Sequence, residues 1–289
     1  MFLYSEKDGF VTREYAIQTI GESFQTQKAL LEVVGTKEFG NALFLDGELQ
    51  MTEKDEYIYH EMLVHPAMSS AKGSVSVCIL GGGDGCAARE ALKWTNVTSV
   101  DIYDWDKDLL QLFQHKYSFW NSQSLTHGKV SIHIENVLNV HISDYDFIFV
   151  DLVDPDYEDL QSRALWQQLI PKLGTLRGSS TLVLNVGGIY PWDDKNTTWI
   201  LMLLADAFYT NETHTIETYK VFVPSFAREW CFFLIKPIEA TVKTSLFENV
   251  PSIRYFDKEA WKAATTWTKN MSPMIPVKPV NLNRYLPPL

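Results

Sequence analysis

The 289-residue chain has little cysteine, a shortage of basic charge and no long apolar run, and each shortage removes a class of function. Its three cysteines, Cys78, Cys86 and Cys231, lack metal-ligand spacing, and an odd number suits a reducing compartment better than a disulfide framework. Lys and Arg number 25 against 36 Asp and Glu, and the resulting charge of −11 argues against nucleic acid or an anionic membrane as partner. No apolar segment approaches the roughly 18–20 residues of a membrane span. The opening residues, MFLYSEKDGF, put no basic region ahead of an apolar stretch, as a secretory signal would. These readings predict a cytoplasmic protein. The acidity favours a cationic ligand, although many soluble enzymes are equally acidic.

What is present is enough apolar residue, 46%, for one large core or for one large and one small. Residues 1–70 read as a small β-rich domain, with period-two alternation in Tyr15–Ile20, Ala29–Val34 and Asn41–Leu45. Asp46-Gly47 is a strong hairpin turn. A helix follows within Glu53–Met68, with Pro66 in or just after it. Residues 71–289 read as a Rossmann-like domain. Strands are expected at Val75–Leu80, Ser99–Tyr103, Val130–Ile134, Phe147–Val150 and Thr181–Val186. Helices are expected at Ala87–Trp94, Asp108–Tyr117, Leu165–Leu173 and Thr198–Ala207. That alternation predicts an α/β fold with a doubly wound, mostly parallel sheet. A late pair, Ile216–Val223 and Trp230–Lys236, reads as an antiparallel edge hairpin. The proline-rich tail from about Met271 reads as extended.

Val75–Arg89, VSVCILGGGDGCAAR, reads as strand, tight turn and helix, the first unit of a nucleotide-binding sheet. Gly81, Gly83 and Gly85 are expected to take positive φ and to admit a ligand close to the backbone. Cys86 breaks the dinucleotide fingerprint, and Asp84 puts an acid where a phosphate would be repelled. A cationic ligand would be held, so the turn reads as a sulfonium nucleoside site, with an ordinary tight turn as the plain alternative. Acids recur after other strands: Asp104 and Asp106 after the second, Asp151 and Asp154 after the fourth. Asp104 is placed to accept from ribose hydroxyls and Asn136 to bond an adenine edge. Each single acid or amide has an alternative as a helix N-cap.

Three stretches together, Gly81–Gly85 (GGGDG), Asp55–Met62 (DEYIYHEM) and Asp151–Pro155 (DLVDP), resemble the polyamine aminopropyltransferases, the spermidine synthase family. The likeness runs from LDGELQ to the RYF stretch at Arg254. It implies transfer of an aminopropyl group from decarboxylated S-adenosylmethionine to a small cationic amine, with methylthioadenosine leaving. It also implies a homodimer or homotetramer, no metal and no permanently bound cofactor. By motif, Asp151 is the base, Tyr59 orients the attacking nitrogen, Asp154 holds the amine, and Asp84 binds the donor's ammonium. Gln50 and His60 line the donor site beside Gly81 and Gly83, with Glu61 behind them. Trp230 walls the acceptor channel or fills core.

Departures from the pattern fall mostly on the acceptor side. Val223 stands where the family places a tyrosine, Arg228 adds a positive charge, and Val137 follows Asn136 where a small residue is usual. Putrescine is the default acceptor by frequency. Two other readings keep the fold: methylation of an amine by intact S-adenosylmethionine, and a nucleoside- or partner-binding relative without turnover. Retention of Asp84 speaks against the first. Retention of Tyr59, Asp151 and Asp154 speaks against the second.

Overall fold

The computed structural model describes residues 2–8, 11–190, 195–208, 213–244 and 250–268. Strands β1 (Leu3–Asp8), β2 (Val11–Gln25), β3 (Leu30–Thr36), β4 (Gly40–Leu45) and β5 (Glu48–Thr52) form an antiparallel sheet in sequence order. The last hairpin turns at Asp46 and Gly47, whose φ values of 50° and 84° are those a two-residue type I′ turn demands. The period-two reading found β2 to β4, the Asp46-Gly47 turn implied β5, and β1 was missed.

Helix α1 (Glu56–Met68) then leads into the larger unit. Its elements are β6 (Val75–Gly81), α2 (Cys86–Leu92), β7 (Val97–Asp104), α3 (Lys107–His115), β8 (Val130–Ile134), β9 (Phe147–Asp151) and α4 (Leu160–Leu173). They continue with β10 (Thr181–Ile189), α5 (Lys195–Ala207), β11 (His214–Val223), β12 (Arg228–Pro237) and α6 (Lys258–Ala264). The seven strands lie in the order β11-β12-β10-β9-β6-β7-β8. Strands β6 to β10 are parallel, and β12 runs antiparallel between β10 and β11. The hairpin is therefore as expected, but its second strand is interior and β11 forms the edge.

This sheet is covered on both faces, and period-two alternation sorts its side chains between two cores. Val77, Ile79, Phe149, Phe232 and Leu234 face the core under α1 and α2, which continues into the small sheet. Cys78, Leu80, Ile148, Val150, Phe233 and Ile235 face the core under α4 and α5, around Trp166 and Ile200. Helix α1 packs on α2 and across β9 to β12, and of its thirteen residues only Tyr57 escapes full burial. Helix α2 ends at Leu92, two residues short of the expected Trp94. The proline-rich stretch from Met271 lies outside the described residues. No helix among those described is long and apolar enough to cross a membrane. All three cysteines are free and buried.

Strand order reverses between β6 and β9. Their carboxyl ends, Gly81 and Asp151, are paired in register, and a doubly wound sheet opens its ligand crevice at this point.

Candidate active site

The turn after β6 is built around a close approach. Positive φ falls on Gly81 (84°), Gly82 (66°) and Gly85 (80°), so Gly82 rather than Gly83 has the left-handed backbone. Gly83 is needed for space instead. A Cβ there would lie 2.7 Å from Asp104 Oδ2, the atom that accepts the Gly83 N–H at 3.1 Å. Asp104 Oδ1 accepts from Asp106 N–H at 2.8 Å. Burial, partly offset by these bonds, pushes the Asp104 carboxyl up to about 6.

Opposite the turn, α1 delivers Tyr59 and His60. The Tyr59 hydroxyl donates to Asp151 Oδ1 at 2.7 Å, while Asp151 Oδ2 is buried with no hydrogen-bond partner. Burial first, then the charge of Asp84, raises the Asp151 carboxyl to about 6 against the pull of His60 and the Tyr59 bond. Burial, with Asp151 beside it, keeps the Tyr59 phenol well above its ordinary value. His60 Nδ1 lies 2.8 Å from Glu56 Oε2 and 2.9 Å from the Glu56 carbonyl, so that nitrogen carries a proton. Its Nε2 stands 3.8 Å from Asp84 Oδ1. Burial pulls His60 down, but the Glu56 bond and the Asp84 charge outweigh it and set the imidazole at about 9.

Asp154 is held by Asn185, whose Nδ2 donates to Asp154 Oδ1 at 2.9 Å and whose Oδ1 accepts from Trp230 Nε1 at 2.7 Å. The Trp230 ring meets Tyr59 edge-on at 6.3 Å. Trp230 is thus both buried and a neighbour of the site. The Arg228 guanidinium lies 5.0 Å from its ring centroid.

Tyr59, His60, Asp84, Asp104, Asp151, Asp154 and Trp230 therefore converge as expected, around Gly81 and Gly83. Two others do not. Gln50 sits on the exposed face of β5 with its amide donating to the Glu48 carbonyl and, among the described residues, makes no hydrogen bond to the cluster. Asn136 is exposed, and its Oδ1 accepts from Leu138 N–H at 2.9 Å, so the N-cap alternative describes it. Glu61 does not support His60. Its carboxylate accepts the backbone N–H groups of Arg254, Tyr255 and Phe256 at 2.7–2.9 Å.

Two residues escaped the sequence reading. Glu56, which holds His60 and takes two 2.8 Å bonds from Arg89, looks like an ordinary first-turn acid. Asn185 had a legible signal, a lone amide inside the apolar run TLVLNV.

Comparison with known proteins decides the family. Residues 56–245 match the family model described as the spermine/spermidine synthase domain. The chain belongs to the spermine/spermidine synthase family. The matched span includes every member of the convergent cluster. A polyamine aminopropyltransferase of Leptospira interrogans is 31% identical over 252 residues, 84% of this chain and 47% of that protein. Thermospermine synthase ACAULIS5 of Arabidopsis thaliana is 28% identical over 272 residues, 89% of this chain and 78% of that protein. The chain thus spans about half the length of the Leptospira relative and most of the plant one. A crystal structure of spermidine synthase with the transition state analogue AdoDATO superposes with a TM-score of 0.83. It has 21% identity, with 94% of each chain covered. Spermidine synthase from Thermotoga maritima superposes with a TM-score of 0.77 at 19% identity, covering 94% of this chain and 93% of that one. Those two likenesses establish the Rossmann-like fold with its N-terminal antiparallel sheet.

Proposed function

We propose that the protein is an aminopropyltransferase that uses decarboxylated S-adenosylmethionine, with putrescine as its default acceptor. The observation that carries this reading is the acid in the Gly-rich turn, Asp84, standing across from a Tyr59–Asp151 pair. A donor whose chain ends in an ammonium gains from Asp84, whereas the carboxylate of intact S-adenosylmethionine would be repelled.

An amine of pKa about 10 is only ~0.1% neutral at pH 7, a deficit of about 4 kcal/mol for a nucleophile. Asp151 meets that deficit. Its Oδ1 is fixed by Tyr59, its Oδ2 has no partner, and its carboxyl, raised to about 6, stays ionised at neutral pH while remaining basic. The amine's proton passes to Asp151 as the N–C bond forms. The C–S bond breaks and its electron pair stays on sulfur, so methylthioadenosine leaves uncharged. Because the sulfonium is already a good leaving group, much of the acceleration comes from in-line placement. Asp104 takes the ribose hydroxyls and Asp154 a second ammonium.

The test is methylthioadenosine release from the decarboxylated donor with a panel of putrescine, cadaverine, agmatine, diaminopropane, spermidine and spermine. Longer amines belong in it because one relative is a thermospermine synthase. Release with any of them supports the reading. Binding of methylthioadenosine without release from any amine overturns it.

A further inference from the structure

His60 is built to titrate at one nitrogen only. Nδ1–H is committed to two acceptors on Glu56, its carboxylate and its carbonyl. Glu56 is in turn locked by both terminal nitrogens of Arg89. The side chain is 4% exposed, and its Nδ1 faces Glu56 rather than water. Nε2 faces the donor side. One ring nitrogen of His60 and one oxygen each of Asp84 and Asp151 lie within 4.8 Å of one another. The groups around the ring are Glu56 and Tyr59 from α1, Asp84 and Cys86 from the turn and the start of α2, and Asp151 from the end of β9. Arg89 acts through Glu56. In the empty site these acids favour a second proton, on Nε2, and that imidazolium neutralises Asp84.

A donor with an ammonium and a sulfonium brings two positive charges into this space. Like charges held close together in a buried site repel strongly, because little water screens them. Keeping the Nε2 proton would therefore cost the complex more than losing it. We infer that His60 is a proton store for the donor site, releasing its Nε2 proton to solvent when the cationic donor binds. The inference rests on the donor proposed above. The emptied Nε2 then has a lone pair near Asp151. The proton that Asp151 takes from the attacking amine can pass to it, restoring the imidazolium as methylthioadenosine leaves. The single proton set free per turnover exits at donor binding, not at the chemical step.

Calorimetric binding at pH 8.0 in buffers of different ionisation enthalpy counts that proton. At this pH Asp104 and Asp151, at about 6, are already ionised, whereas His60, at about 9, is still protonated. Decarboxylated S-adenosylmethionine should release about 0.9 proton, and methylthioadenosine, which lacks both cationic groups, should release none. His60→Gln cannot titrate, and should bind the donor with no release. Donor binding without proton release in the wild type, or equal release in His60→Gln, overturns the inference and leaves the proposed donor standing. Absence of donor binding overturns both.

Discussion

Tyr59→Phe isolates one hydrogen bond whose effect is a shift along the pH axis. The Tyr59 bond is the one hydrogen bond to the Asp151 carboxylate among the described residues, since Oδ2 has none. A hydrogen bond to a charged group contributes about 1.5–3 kcal/mol. One pKa unit corresponds to about 1.4 kcal/mol, so losing the bond raises the Asp151 carboxyl by ~1–2 units. Burial already holds that carboxyl near 6, and Phe retains the packing against Trp230 and Phe232. The acid limb of kcat at saturating donor and amine should therefore move up by ~1–2 pH units relative to wild type. With the unliganded value of about 6 as reference, turnover at pH 7 falls roughly 2- to 10-fold, and the deficit closes by about pH 9.5. The assay is initial methylthioadenosine release from pH 5.5 to 9.5. A deficit of the same size at every pH refutes the reasoning, because loss of packing or of amine orientation involves no proton.

Asp151→Asn should cut turnover by at least about 100-fold and at the same time stabilise the fold. A carboxyl raised from 3.8 to about 6 destabilises the folded state once ionised. The cost is absent below about pH 4, grows through pH 6 and reaches at most ~3 kcal/mol above it. The variant should thus melt several degrees above wild type at pH 8, and thermal scans should show the gain vanishing near pH 4. Gly83→Ala forces a methyl to within 2.6 Å of a Leu109 methyl and 2.7 Å of Asp104 Oδ2. Because this displaces Asp104, the acid proposed to take the ribose hydroxyls, KM for the donor should rise at least about tenfold, with kcat much less affected.

The large sheet was legible because its strands are buried on both faces and bounded by glycine and acid, as in Val75–Leu80 and Phe147–Val150. Strand β1 was not, because its sequence, LYSEKD, gives no run of apolar positions. Its pairing with β2 and the buried Glu6, which accepts Tyr15 Oη at 2.7 Å and Leu49 N–H at 2.9 Å, are tertiary facts. Among the site residues, those at strand ends were readable from spacing alone, since topology brings Asp84, Asp104 and Asp151 to one edge. For Gln50 and Asn136 local geometry competes. The β5 pleat turns Gln50 outward, and a short turn after β8 takes up the Asn136 oxygen. Glu56 and Glu61 share a helix and a charge, yet one grips an imidazole and the other three backbone amides of a segment nearly 200 residues away. No periodicity separates two such acids.

Helix α1 has almost no face of its own to give to water. Twelve of its thirteen residues are buried, and its neighbours include strands completed only at Pro237. During synthesis it therefore emerges long before the surface that must receive it. Residues 56–68 spend the making of some 170 further residues as a largely apolar segment without all of its final partners. A chain halted before β12 leaves part of that segment uncovered, with Glu61 still lacking the amides of Arg254, Tyr255 and Phe256. Tyr59 and His60 thus reach their final packing only once strands β10 to β12, far along the polypeptide, have been made.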